Sequence, residues 1–465
     1  MKINHPIGIT LAVLATLLFL SPSRAADITA TGSGNWSSTV PDAPWPGGIV
    51  PGTNDSVDVE APFVITVDAD TTCAYLYGSG TVTLAPNVTL DILGDTVGAQ
   101  GAQQLATLNA TATGCTVNYH GNSFWAKRTD YYHLTFSGAG DFYNGAIPGS
   151  GAVPMNIAGN LLISGTNVAV QQGADITIGG NLSILGATNK WDTSSFYLTV
   201  GGNTTITGLR ALLVDLDGAL GSNYFTGSMT VGSSALAWNV SDVTQWALGG
   251  SLTNLGLIAG KGYGSIDFKG NGIITGNALK LPTITVSGTY EVRASITLTT
   301  NTPTLTGTLI FDLARTNQLT LQSYPTNPLT LYYDGALNVI NTGAAPIAGN
   351  SYKFFNATNY DGSFVTTSFP TLAGGLSWAD NLIAGGSIAV VGGPSGSPTL
   401  TYTVNGQTLT LSWDSGTYTG YRVIAQTNSS GIGATWSPTG SGTVSPYITT
   451  INPANPAVFY RLVKP

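Results

Sequence analysis

One short phrase recurs between residues 157 and 312. It reads IAGNLLISG, IGGNLSILG and VGGNTTITG, then in looser copies FTGSMTVGS, LGGSLTNLG, FKGNGIITG, VSGTYEVRA and LTGTLIFD. The anchor glycines are Gly159, Gly180, Gly202, Gly227, Gly250, Gly270, Gly288 and Gly307, so the period drifts between 18 and 25 residues, the range of a solenoid turn. A unit this short cannot hide its own apolar face, and only stacking on neighbours makes a continuous core. The residue after each glycine is small and polar: Asn160, Asn181, Asn203, Ser228, Ser251, Asn271, Thr289, Thr308. Such residues suit a bend and can form a ladder between copies, with glycine supplying tolerance of positive φ.

Beyond each bend the pattern alternates. Ile163, Ile184, Ile206, Val231, Ile274, Val292 and Phe311, four places after the glycine, and Leu161, Leu182, Met229, Tyr290 and Leu309, two places after it, are expected to face inward. Ser183, Thr205, Thr230, Thr253 and Glu291 between them face water, a period of two that marks strands with one buried face. Thr204, Asn254 and Gly272 interrupt the inward columns, so a bulge or a register shift is expected there. Turns of this length pair in parallel about 4.8 Å apart. The expected fold is all-β, a right-handed parallel β-helix over 27–391. Antiparallel sandwiches, the rival for a Gly- and Thr-rich chain, do not predict one glycine-led phrase per coil.

Composition agrees with this reading. The 465 residues include 60 Gly, only 8% are charged, and the net charge is −8, which disfavours helix and contact with phosphate backbones. No nucleic-acid partner and no cofactor is expected. Residues 1–26 read as a secretory signal: Lys2, the apolar run Ile7–Leu20, then Ser23-Arg24-Ala25 as a cleavage site. No later stretch is long and apolar enough to cross a bilayer, so a secreted or cell-surface location is expected. Cys73 and Cys115 could pair in an oxidising compartment, but the two coils expected between them would hold their Cα atoms beyond the roughly 7 Å a bridge allows.

Several stretches carry resemblances. The first mature segment, GSGNWSSTVPDAPWPGGIVPGTNDSVDVE and on to FVITVD, is similar to the entry cap of bacterial cell-surface β-helix proteins, with Trp36 and Trp45 as lid residues over 27–70. YYHLTFSGAG resembles a phrase of surface-repeat proteins, YYNLTLSGSG, that opens a coil. Residues 343–391, within the closing coils 329–391, resemble the terminal segment of autotransporter-associated β-strand-repeat proteins. That resemblance implies a secreted β-helix, here without a translocator barrel. After a GGPSGSP linker at 392–398, residues 399–465 read as a small β-sandwich-like module with turns at Asn405-Gly406, Ser415-Gly416 and Asn452-Pro453. The module resembles the C-terminal unit of many secreted proteins of environmental bacteria.

Chemistry-bearing residues concentrate in HGNSFWAKRTDYYHLTFSGAGDF. Trp125, Tyr131 and Tyr132 could stack on sugar rings, while Lys127, Arg128, Asp130 and His133 could serve a lyase- or hydrolase-like groove. The plainer reading is a loop covering the flank of a coil. Carboxylates occur as short groups: Asp55, Asp58 and Glu60; Asp68 and Asp70; Asp215 and Asp217. The last two share a strand face and form a weak calcium candidate, without the remaining ligands of a calcium loop. The functional expectation is a non-enzymatic structural or adhesive β-solenoid contacting glycans or cell-surface components, with a polysaccharide lyase or glycoside hydrolase as the alternative.

Overall fold

A computed structural model describes residues 25–94, 105–126, 129–143, 154–193, 196–214, 222–235, 237–240, 245–260, 264–322, 328–392, 397–416, 418, 420–440 and 444–464. The expected leader lies almost wholly outside these residues, as does most of the linker.

The phrases stack as rungs. Leu161 pairs in parallel with Leu182, Leu182 with Thr204, Thr204 with Met229 and Met229 with Leu252. Each coil supplies three short strands, for example Met155–Ile157, Leu161–Ile163 and Val168–Gln171. Among the described residues these strands build parallel sheets of 8, 14 and 11 strands, called here the short, long and middle sheets. The chain is a parallel β-helix followed by a small β-module.

The expected columns face as the alternation requires. Ile163, Ile184, Ile206 and Val231 are buried, as are Leu161, Leu182, Met229 and Leu252, whereas Ser183, Thr205, Thr230 and Thr253 stay partly exposed. Each inward Ile or Leu contributes about 2 kcal/mol by leaving water, and the contribution exists only because the next coil covers it.

The anchor glycines serve a different purpose from the expected one. From Gly159 to Gly307 none of the eight has positive φ. A Cβ at Gly180 would lie 2.6 Å from Gly159 O, and one at Gly202 2.6 Å from Gly180 O. Glycine is required because consecutive corners approach each other closely. The next residue supplies the expected ladder: Asn181 N donates to Asn160 Oδ1 (2.8 Å), Asn203 N to Asn181 Oδ1 (2.8 Å) and Ser228 N to Asn203 Oδ1 (2.9 Å). Ser251 N then donates to Ser228 Oγ and Ile273 N to Ser251 Oγ, both at 3.1 Å.

The interrupted columns divide into two cases. Thr204 keeps register between Leu182 and Met229 and is buried, because threonine has the shape of valine and the Asn203 corner is pinned. At Asn254 the ladder slips: Leu252 pairs with Ile274 and Asn254 with Gly276, which has φ +98°. The regular register resumes on the next coil, where Gly272 stands beside Tyr290. A Cβ at Gly272 would lie 2.8 Å from Gly250 O. Tyr290 is buried and its hydroxyl donates to Leu248 O (2.8 Å) and lies 3.0 Å from Gly250 O, two coils back. Burial pushes this phenol up to about 12.

At the first coil Trp36 and Trp45 lie in the continuous core with ring centroids 5.3 Å apart, and Trp45 Nε1 donates to Trp36 O at 2.7 Å. Cys73 pairs with Ile92, which pairs with Tyr119 in the strand that follows Cys115. Both thiols are buried and free, and because Cys115 lies four residues before Tyr119 along the chain, they stand farther apart than the two-rung spacing of about 9.6 Å. At the other end the parallel rungs give way to an antiparallel sheet of Ser351–Lys353, Leu376–Asn381 and Ser387–Gly392. Phe311, Tyr333, Phe354, Phe355 and Phe364 pack beneath it. The C-terminal module has two three-stranded antiparallel sheets and its own small core of Leu411, Trp413 and Val423. The Asn405-Gly406 turn joins Thr401–Asn405 to Thr408–Ser412.

Candidate functional site

The polar segment singled out in the sequence runs from one coil into the next, so that its strand Ser123–Trp125 stacks in parallel on Gly140–Tyr143. His133–Phe136 pairs with Thr116–Tyr119 on one side and Leu161–Ile163 on the other, with Leu134 opposite Leu161. His133 therefore occupies the rung position of Asn160, and it does the same work. Its Nδ1 accepts the Asn160 N–H at 2.8 Å, which makes it the head of the corner ladder. A ring nitrogen that accepts an N–H carries no proton of its own. Burial pushes the imidazole below its ordinary range. Tyr132 stands edge-on to the ring, centroids 4.7 Å apart.

Tyr131 and Asp130 serve other contacts than His133 does. Tyr131 is fully buried, bridges Ala110 and Ile157, and places its hydroxyl 3.0 Å from that of Tyr119. Burial holds its phenol well above the usual range. Asp130 is exposed, and its Oδ1 accepts from Asn156 N (3.1 Å) and Asn156 Nδ2 (3.2 Å), joining two coils. Trp125 ends the strand Ser123–Trp125, paired with Gly140–Tyr143. Its side chain, like Lys127, Arg128, Asp215 and Asp217, lies outside the described residues.

A second hydrogen-bonded chain crosses the outer face of the same region, and sequence reasoning missed it. His120 Nδ1 lies 2.8 Å from Ser137 Oγ, Ser137 Oγ donates to Asn118 Oδ1 (2.7 Å), and Asn118 Nδ2 donates to Asp91 Oδ1 (2.6 Å). Asp91 accepts only, so it orients the Asn118 amide. That amide takes the Ser137 proton, and His120 Nδ1–H must then donate to Ser137. The serine hydrogen points away from the imidazole, the reverse of what an activated nucleophile requires. Asn118 and Asp91 are facing rungs of the long sheet, so period-two alternation could have paired them. Ser137 comes beside His120 because each directly follows one of two parallel strands on consecutive coils, a relation with no local signature.

The acidic groups follow the same economy. Asp55 accepts from Ala26 N and Gly52 N, Asp70 from Thr89 N, and Asp68 from both Ser37 N (3.0 Å) and Ser37 Oγ (2.6 Å). Burial opposes ionisation of Asp68, but the Ser37 bonds prevail and hold its carboxyl below the usual range. Carboxylates converge at Asp58 and Glu60. Burial raises the Asp58 carboxyl, and the neighbouring Glu60 and Asp27 add to the shift. Among the described residues no group of three or more His, Cys, Asp or Glu side chains could hold a metal ion.

The chain matches no family model, no curated protein and no solved structure. Function must therefore be argued from the molecule itself. Among the described residues no helix is long and apolar enough to cross a membrane.

Proposed function

We propose that this chain is a non-enzymatic β-solenoid, exported to the cell surface or matrix, that serves as a structural or adhesive element contacting glycans or other surface components. The observation that carries the reading is the use made of its polar side chains. His133, Asp130, Asp55, Asp68 and Asp70 each bond a backbone N–H of another coil or turn. These groups hold rungs in place, and what faces water is a set of flat, amide- and hydroxyl-rich sheets such as the Ser183, Thr205, Thr230, Thr253 column. The expected leader and the resemblance to cell-surface repeat proteins point the same way.

The alternative, a polysaccharide lyase or glycoside hydrolase, would use the stretch 127–133, with Lys127, Arg128, Asp130 and His133 as its candidate residues. A separate carboxylate pair, Asp58 and Glu60, is close enough that, after burial, the Glu60 charge raises the Asp58 carboxyl. Glycosidase carboxyl pairs stand about 5 Å or more apart to admit the sugar or water between them. A depolymerisation screen on pectin, alginate and cellulose separates the two readings. Binding to insoluble glycan without release of reducing ends or unsaturated uronates is expected. Release that disappears in Arg128→Ala or Asp130→Ala overturns the proposal.

A further inference from the structure

The short sheet presents an outward column of Asn156, Thr177, Thr199, Tyr224, Ala247, Asp267, Thr285 and Thr304. The column is small and polar except where Tyr224 is followed by Ala247. Tyr224 is 42% exposed, whereas Ala247, on the same outward face, is only 7% exposed. The covering groups come from both sides, for Lys269 Nζ lies 5.8 Å from the centre of the Tyr224 ring. Beside this contact opens a shallow recess of about 190 Å³, lined by Tyr224, Lys269, Ala247, Gly249 and Gly270. The glycines and the alanine leave the backbone flat and low here. Lys269 makes no ion pair among the described residues. Asp267, two rungs beyond Tyr224 and two residues before Lys269, accepts from Ser287 Oγ at 2.7 Å and has acceptor capacity remaining.

We infer that this recess is a binding subsite for one neutral hexopyranose ring of a glycan chain. The inference rests on the proposed surface role and names the ligand class and place. A pyranose has a face of C–H groups and a rim of hydroxyls. The recess matches both, with the Tyr224 ring and an apolar floor for the sugar ring and Lys269 as a donor in its wall, while Asp267, one rung beyond Ala247, offers an acceptor next to it. Asp267 and the net charge of −8 oppose a polyanion, which removes uronate polymers and nucleic acid as the favoured occupants. Tyr197, 46% exposed, stands on the neighbouring rung, roughly 8 Å away by strand geometry, where the next sugar of a chain would lie.

The test is calorimetric titration of the full chain with cellohexaose, mannohexaose and hexagalacturonate, alongside Tyr224→Ala, Tyr224→Phe, Lys269→Ala and, as a remote control, Thr285→Ala. Support would be binding of a neutral hexamer that weakens at least tenfold in Tyr224→Ala and three- to tenfold in Lys269→Ala. Tyr224→Phe, which keeps the ring, and Thr285→Ala should bind as the parent does. Circular dichroism and thermal melting check that each variant is folded. Equal binding by Tyr224→Ala overturns this site and leaves the surface reading standing. Binding of hexagalacturonate alone overturns the ligand class. No binding to any of the three by the parent chain, or on a wider panel of insoluble glycans, removes the glycan part of the surface reading together with the site.

Discussion

His133 offers the sharpest test of the ladder, because one substitution at this position should weaken it and another should leave it intact. In His133→Leu the Asn160 N–H loses its acceptor. The corner is near solvent and water can replace part of the bond, so the cost is about 1 kcal/mol, or roughly a fivefold loss of hydrogen-exchange protection at Asn160. In His133→Asn the side-chain oxygen can accept the same N–H, as Asn160 does for Asn181, and protection at neutral pH should be unchanged. The pH dependence follows from the depressed folded pKa. Between that value and the unfolded histidine's ordinary value of about 6.5, the unfolded chain binds more protons. The stabilisation is thus present above about pH 6.5 and lost as pH falls below it. Protonation would also set a donor against the Asn160 N–H. Exchange measured by mass spectrometry on the peptide covering Asn160, corrected for intrinsic rates, should show protection falling from pH 7.5 to 5 in the parent and staying level in His133→Asn. Unchanged Asn160 protection in His133→Leu, or an equal fall with pH in both parent and His133→Asn, would refute the reasoning.

Three further outcomes are expected. Gly272→Ala should destabilise the surrounding coils by about 2–4 kcal/mol, since its Cβ meets backbone at 2.8–2.9 Å and overpacking alone costs about 1–3 kcal/mol; urea unfolding within 0.5 kcal/mol (roughly the range of a neutral surface change) of the parent would contradict this. Thr204→Val should stabilise by about 1 kcal/mol, because it removes a buried hydroxyl that has no partner and keeps the shape, and a lower melting temperature would count against it. Cys73, buried with its thiol pushed up to about 12 by burial, should resist alkylation at pH 8 until denaturant is added, after which both cysteines label without prior reduction; a need for reductant would show a bridge.

The architecture was legible because its cause is local and repeated. Glycine followed by Asn or Ser, then alternation, states the corner and the strand in nine residues, and each copy restates them. The reason for the glycines was not legible, because close approach of Gly180 to Gly159 O is a relation between coils. The interruption at Asn254 and Gly272 correctly marked a fault in register, whereas Thr204, read by the same rule, fits a valine-shaped place. The polar segment allowed two readings, a groove and a loop covering the flank of a coil. His133 stands at a ladder position, which is a relation between coils that its neighbours in sequence do not state. The chain from His120 to Asp91 depends on three turns of the helix and could not be read from spacing.

A stack of rungs, each touching only the next, can in principle be peeled from one end a coil at a time. Tyr290 forbids this over one stretch. Its hydroxyl is fastened to Leu248 and Gly250, so the intervening coil with Gly272 is held between its neighbours like a washer under a bolt. Unravelling that reaches either side of this fastening must loosen all three coils at once. The Tyr290 hydroxyl, reaching past the bare position at Gly272, thus marks an arrest point, a place where a pulling force or a protease working inward from an end would pause.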